Sequence, residues 1–333
     1  MHASAPISAF QRSRLCHLPQ LAVLACVLAA AAPASAGLVI NPTWDEATLS
    51  FFGANEDAVK SAFATAAAQF TSRYSDNVQV NITVRGAAGT STLGASNTFI
   101  NSISHASMFT AVAADAKSSD DATSVGATGS LKSADPASAG VAHNWWVTRA
   151  QQKALGLIAS DASTDGFTTF GAGFSYDFDA SDGITGGTID LVGVMMHEIS
   201  EVMGRIGVSG GVIGGVPGYT LLDDFSYTGA NAKGLGNGAG NNFSIDDGST
   251  LLMAFNNGGL GGDSRDWASG GNDAFNAFSS SGVVNGLTST DVRVMDVIGW
   301  DLTPSTTKVP EPTSLALMGI ALAGLAATRR RKQ

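Results

Sequence analysis

The segment Asp190–Gly207, DLVGVMMHEISEVMGRIG, carries apolar side chains at Val192, Met195, Ile199, Val202, Met203 and Ile206. That spacing follows a 3.6-residue period, so the segment reads as a helix with one face on a core. Gly204, Gly207, Gly210 and Gly211 mark its end, because glycine accepts the left-handed backbone at which helices stop. His197 and Glu201 are four residues apart and project from one face, with Glu198 beside them. Metal-assisted hydrolysis uses this arrangement: two side chains of a helix face grip a Lewis-acidic ion, and the neighbouring glutamate takes a proton from the water the ion activates. The chain has five glutamates, and two of them follow this one histidine. The same spacing also allows a simpler reading, in which Glu201 pairs with Arg205 four places on and His197 only packs. In the functional reading Arg205 orients Glu201 from behind.

Outward from this helix, apolar and alanine positions recur at helical spacing over Glu56–Tyr74, and VQVNITV (Val78–Val84) alternates with period two, predicting helix then strand. WWVTRAQQKALGLI (Trp145–Ile158) reads as a strand end leading into a helix, and Asp165–Asp179 as strands or a hairpin. Ser118–Gly140 reads as a polar loop. Beyond Gly207, Gly, Asn, Asp and Ser dominate to about Thr290, predicting a loop-rich half with few strands. DVRVMDVIGWD (Asp291–Asp301) is a last helix with Val292, Met295, Val297 and Ile298 as core contacts. DFDASDG (Asp177–Gly183) alternates carboxylates, but its glycine falls one place late for a calcium loop and no bidentate glutamate follows, so it reads as a solvated turn. No fixed-period repeat is present.

A chain that is 44% hydrophobic and 14% charged can build a sizeable core. Residues 37–308 hold 12 basic and 27 acidic groups, a formal charge of −15, which argues against nucleic acid and anionic lipid as partners. Residues 1–36 read as a secretory signal peptide: Arg12 and Arg14, an apolar run from Leu18 to Ala32, then Ala34–Ala36 as the cleavage site. Both cysteines, Cys16 and Cys26, fall inside it, so disulfides do not stabilise the exported part. The other end, 304–333, joins a Pro-Glu-Pro turn to an apolar segment, 313–328, and a basic end, Arg329–Lys332. In motif, length and order Val309–Gln333 resembles the PEP-CTERM sorting tail of Gram-negative bacteria. The resemblance implies transient anchoring in the inner membrane, removal of the tail by an exosortase, and a cell-surface or extracellular destination.

The order of motifs after about Trp145 carries a second resemblance. HEISEVMG, LLDDFSY (Leu221–Tyr227), NFSIDDGSTLLMAF (Asn242–Phe255), GGDSRDW (Gly261–Trp267) and DVRVMDVIGWD are similar to exported bacterial zinc-dependent metallopeptidases with a metzincin-type or leishmanolysin-like site. In that family the helix motif is His-Glu-x-x-His-x-x-Gly, and a third histidine comes from a distant His-Trp segment. His197, Glu198 and Gly204 match; position 201 is Glu and the residue before Trp267 is Asp266. The resemblance implies an α+β, zincin-like domain over 37–303, with an N-terminal mixed sheet, helices that include the active-site helix, and a loop-rich C-terminal half. Its expected chemistry is peptide-bond hydrolysis at one divalent ion, Zn2+, held by His197, Glu201 and Asp266, with Glu198 as general base and then proton donor. Asp223 is the alternative third ligand, and His105 and His143 are expected to be ordinary helix or strand residues. The carboxylate substitutions make a harder, more anionic site. They leave open an alternative in which the chain is a catalytically inactive binding protein of the cell surface or extracellular matrix.

Overall fold

The computed structural model describes residues 37–137, 140–256, 258–268 and 271–304; the segment expected to be a signal peptide and the sorting motif lie outside the described residues. In chain order, β1 (Val39–Trp44), α1 (Glu46–Leu49) and α2 (Glu56–Thr71) precede β2 (Gln79–Ala87), β3 (Gly94–Thr98) and β4 (Ile100–Ile103). Next come α3 (His105–Asp115), α4 (Ser119–Ser124), β5 (Asn144–Thr148), α5 (Arg149–Ala154), β6 (Gly166–Gly171), β7 (Tyr176–Asp177) and β8 (Ile189–Asp190). The motif helix α6 (Leu191–Val202) is followed by β9 (Val212–Ile213), β10 (Val216–Thr220), β11 (Ser226–Gly229), β12 (Ala232–Lys233), β13 (Asn242–Phe243), β14 (Met253–Ala254) and α7 (Ser289–Val297). The architecture is α+β, with mixed sheets in the order β1-β2-β6-β3 and β4-β5-β10-β9 and an antiparallel sheet β12-β11-β13-β14.

The first sheet positions the motif helix. β1, β2 and β6 run parallel, with Val39 opposite Gln79 and Ile82 opposite Gly166, and the β1–β2 crossover is made by α1 and α2. β2 alternates as its sequence demands: Val80, Ile82 and Val84 are buried. β3 closes the sheet antiparallel to β6 and leaves one edge unpaired among the described residues. Val59, Ala62, Phe63, Ala66, Ala67 and Phe70 form the buried face of α2, which packs on β1 and α6, while α6 in turn covers β3 and β6. Every residue of α6 except His197 is buried, the pattern of a helix enclosed on all sides.

The predicted helices at Glu56–Tyr74, Trp145–Ile158, Asp190–Gly207 and Asp291–Asp301 are present, trimmed at their ends. In α7, Val294, Met295, Val297 and Ile298 are in the core, whereas Val292 is only half-buried. One expectation needs correction. Ser118–Gly140 is not loop throughout, because α4 opens it: the Ser118 hydroxyl accepts the Asp121 N–H at 2.9 Å and the Asp121 carboxylate accepts the Ser118 N–H at 2.9 Å, a reciprocal cap. Of the two readings of Asp165–Asp179, separate strands are present and a hairpin is not, since β6 pairs with β2 and β3 while β7 pairs with β8. The C-terminal half is as sparse in strands as expected, none from β9 to β14 exceeding five residues. No helix among the described residues is long and apolar enough to cross a membrane.

Candidate metal centre

Both ends of α6 are fixed by side-chain and backbone caps. At its start the Asp190 carboxylate accepts the Gly193 N–H at 2.9 Å through one oxygen and the Asn285 N–H at 2.8 Å through the other, tying the helix to the C-terminal loops. Its end is a glycine turn: Gly204 has φ +118°, the Gly204 N–H bonds the Glu201 carbonyl and the Arg205 N–H bonds the Ser200 carbonyl, each at 3.0 Å. This turn folds Arg205 back beside the helix.

His197 Nδ1 donates to the Ala274 carbonyl at 2.9 Å, which directs Nε2 into a cleft. Nε2 lies 3.4 Å from Glu201 Oε1 and 3.5 Å from Asp266 Oδ1. All three donor atoms fall within 4.8 Å of one another, and among the described residues no other group of His, Cys, Asp and Glu side chains converges in this way. Charge-assisted hydrogen bonds would be about 2.7–2.9 Å long. Tetrahedral ligands at zinc, about 2.0–2.2 Å from the ion, lie roughly 3.3–3.6 Å apart. The distances from His197 Nε2 to Glu201 and Asp266 fall in the second range, so the three side chains have the chemistry, and His197 the spacing, to hold a divalent ion.

Arg205 sits behind two of the three. Its Nη1 donates to Asp266 Oδ1 at 2.7 Å, Nε donates to the Ser200 hydroxyl at 2.7 Å, and the guanidinium lies over the Phe275 ring at 4.3 Å. The Arg205–Glu201 separation is 3.6 Å, so the stronger grip is on Asp266, not on Glu201 as the four-residue spacing suggested. Burial alone would depress the His197 imidazole, but the Asp266 and Glu201 carboxylates outweigh it and push His197 up to about 10. Burial would likewise raise Glu201, yet the adjacent His197 imidazole and then the charge of Arg205 hold it down at about 2. Without an ion, the His197 and Arg205 side chains face the Glu201 and Asp266 carboxyl groups. An ion would replace the imidazole proton.

Glu198 lies on the same helix and lines the cleft, which has a volume of about 660 Å³. Its side chain is buried, and Oε2 has no hydrogen-bond partner. Burial, and then the charge of Glu201, raise its carboxyl well above the ordinary range. β3 forms one wall. The Ser96 hydroxyl donates to Glu201 Oε2 at 2.7 Å, and a Cβ added at Gly94 would stand 2.4 Å from Glu198 Oε1 and 2.8 Å from Val194 Cγ1. Neither residue stood out in the sequence; glycine is needed at 94 because the strand backbone approaches the helix there. Gly94→Ala is expected to displace the Glu198 carboxyl and to destabilise the fold by about 1–3 kcal/mol. Urea melts read the effect; an equally stable variant would remove Gly94 from the account.

The opposite wall carries Asp266. Trp267 is buried between Phe255 and Phe243 and donates from Nε1 to Asp291 Oδ1 at 2.6 Å, anchoring the loop one residue from the ligand. Asp223, the alternative third ligand, is not in the centre. Its carboxylate accepts from Arg265 Nε at 2.8 Å and from the N–H groups of Val208, Ser209 and Thr220, so it clamps the residue preceding Asp266 instead of facing the ion site. His105 and His143 lie elsewhere, each 2.8 Å from a carboxylate, Asp224 and Asp135 respectively. Asp177 accepts the N–H groups of Asp179 and Thr185, and Asp179 caps a single turn, as a solvated turn requires.

Residues 308–332 match the PEP-CTERM protein-sorting motif, which implies processing by exosortase and marks the chain as an exported protein sorted to the cell surface. No curated protein and no solved structure matches the chain.

Proposed function

We propose that the exported chain is a zincin-like, metal-dependent endopeptidase in which His197, Glu201 and Asp266 hold one Zn2+ and Glu198 transfers the proton. The observation that carries this reading is the pair of separations from His197 Nε2, 3.4 Å to Glu201 and 3.5 Å to Asp266, with the imidazole aimed by its Nδ1 bond to Ala274. When bound, the ion supplies Lewis acidity that activates water and polarises a carbonyl. The chain's own residues do the rest. Glu198, on the cleft wall beside the ligands, accepts a proton and returns it to the leaving amine. The unpaired edge of β3 lies along the cleft, where an extended peptide can add as a further strand through main-chain hydrogen bonds. That edge supports a polypeptide substrate over a small ester or sugar. The sorting motif agrees with a substrate met outside the cell.

One observation favours a second reading. With Arg205 2.7 Å from Asp266, the four side chains form a buried ion-pair network without metal, as a non-catalytic surface or matrix protein would need. Metal removal separates the two. The peptidase reading expects about one equivalent of zinc in the purified protein, casein cleavage abolished by a chelator and restored by Zn2+, and a melting temperature that drops on chelation. Protein free of transition metal, inert to casein with added zinc and unmoved by chelator in its melt, identifies the binding protein.

A further inference from the structure

Two carboxylates in a three-ligand set create an electrostatic difficulty. A divalent ion on two imidazoles and one carboxylate, the set of a common class of hydrolytic zinc sites, keeps one net positive charge. His197, Glu201 and Asp266 alone would neutralise it, and a neutral centre polarises its substrate less. The residue that answers this charge is Arg205, whose guanidinium stays protonated at any working pH. It is 1% exposed. Its backbone is fixed by the Gly204 turn, its Nε by Ser200 and its face by the Phe275 ring. From that position Nη1 bonds the same Asp266 oxygen that faces His197, and Nη2, which has no hydrogen-bond partner, stands 3.6 Å from the Glu201 oxygen that faces His197.

We infer that Arg205 is a charge-restoring positioning residue of the metal centre: it returns the positive charge that the second carboxylate removes, so the centre keeps the electrophilicity of a two-imidazole site. The inference rests on the endopeptidase reading and gives Arg205 a role that holding loops together does not. A cation packed behind two ligands repels the ion it serves. Removing it therefore tightens metal binding while slowing hydrolysis, whereas the loss of a purely structural contact weakens both.

The test compares the wild type with Arg205→Gln and Arg205→Lys. Zinc affinity is measured by competition with a chromophoric chelator, and casein cleavage at saturating zinc. Arg205→Gln is expected to bind Zn2+ at least about tenfold tighter and to cleave at least about tenfold more slowly; Arg205→Lys, which keeps the charge, stays within about threefold of the wild type in zinc affinity. A second measurement needs no variant: azide, an anionic fourth ligand, is titrated into the Co2+-loaded wild type and followed by visible absorption. A centre with net positive charge takes up azide in the millimolar range, and a neutral one leaves it unbound at about 100 mM. Weaker or unchanged zinc binding by Arg205→Gln, or no azide uptake by the wild type, overturns the inference while leaving the endopeptidase reading in place. A wild type that binds neither Zn2+ nor Co2+ removes the metal centre itself, and the inference with it.

Discussion

Glu198→Gln is expected to lower proteolysis about 10²–10⁴-fold, the usual worth of a positioned proton-transfer group, while zinc content and affinity stay at the wild-type level. Glutamine keeps the shape and packing of the side chain, which is buried beside Gly94 of β3, but can neither take up nor return a proton. Stability gives an independent sign. Burial and Glu201 raise the Glu198 carboxyl in the fold, so the folded state holds a proton that the unfolded chain releases near its ordinary value of about 4.3. The linkage relation then makes stability fall as pH rises above that value, up to the raised folded one. Glutamine removes this slope. The variant should melt at or above the wild-type temperature near neutral pH, so that activity is lost without loss of fold. A variant that retains full proteolysis would take Glu198 out of the chemistry. One that loses activity together with zinc would make it a determinant of the site's structure instead.

The parts of this site legible in the sequence are those set by local periodicity. A 3.6-residue pattern from Val192 to Ile206 fixes α6, and the helix then places His197 and Glu201 on one face without help from the rest of the fold. Glycine at 204 announces the turn, but its consequence was out of reach. The four-residue rule sends Arg205 to Glu201, whereas the turn rotates it off the helix and onto Asp266, 61 residues away. Asp266 itself was reached by a resemblance in motif order; no periodicity connects it to α6. Asp223 stood as the alternative to Asp266, because a sequence lists carboxylates without showing that a guanidinium and three backbone N–H groups converge on one of them. β3 is the least legible element. GASNT has none of the apolar alternation of β2, and its place as the cleft wall comes from pairing with β6, with Gly94 opposite Phe170. The capping box that begins α4 was readable in Ser118–Asp121, yet the polar, glycine-bearing run after it outweighed the signal.

Trp267→Ala is expected to destabilise the fold by about 3–5 kcal/mol and to weaken zinc binding about tenfold to a hundredfold. The first effect follows from the volume removed: the indole is 1% exposed, stacked on Phe255 at 5.2 Å between ring centroids and tilted against Phe243 at 5.9 Å. The second follows from what the residue connects. Its backbone N–H bonds the Phe275 carbonyl at 2.8 Å and its carbonyl accepts the Ala277 N–H at 3.0 Å, so it joins the segment holding Asp266 to the segment holding Ala274. Asp266 is one of the three converging side chains, and the Ala274 carbonyl orients a second, His197. The Trp267 plug thus ties the loop that carries Asp266 to the segment that orients His197 on α6. Trp267→Phe divides the contributions: it keeps most of the apolar contact but leaves Asp291 without its indole donor, at a cost of about 1–3 kcal/mol, and should keep zinc affinity within about threefold because the loop stays packed. Denaturant melts and chelator competition on both variants measure this. If alanine at 267 left zinc affinity unchanged despite a large stability loss, the spacing of Asp266 from His197 would have to be held by Arg205 and the Asp223–Arg265 clamp alone.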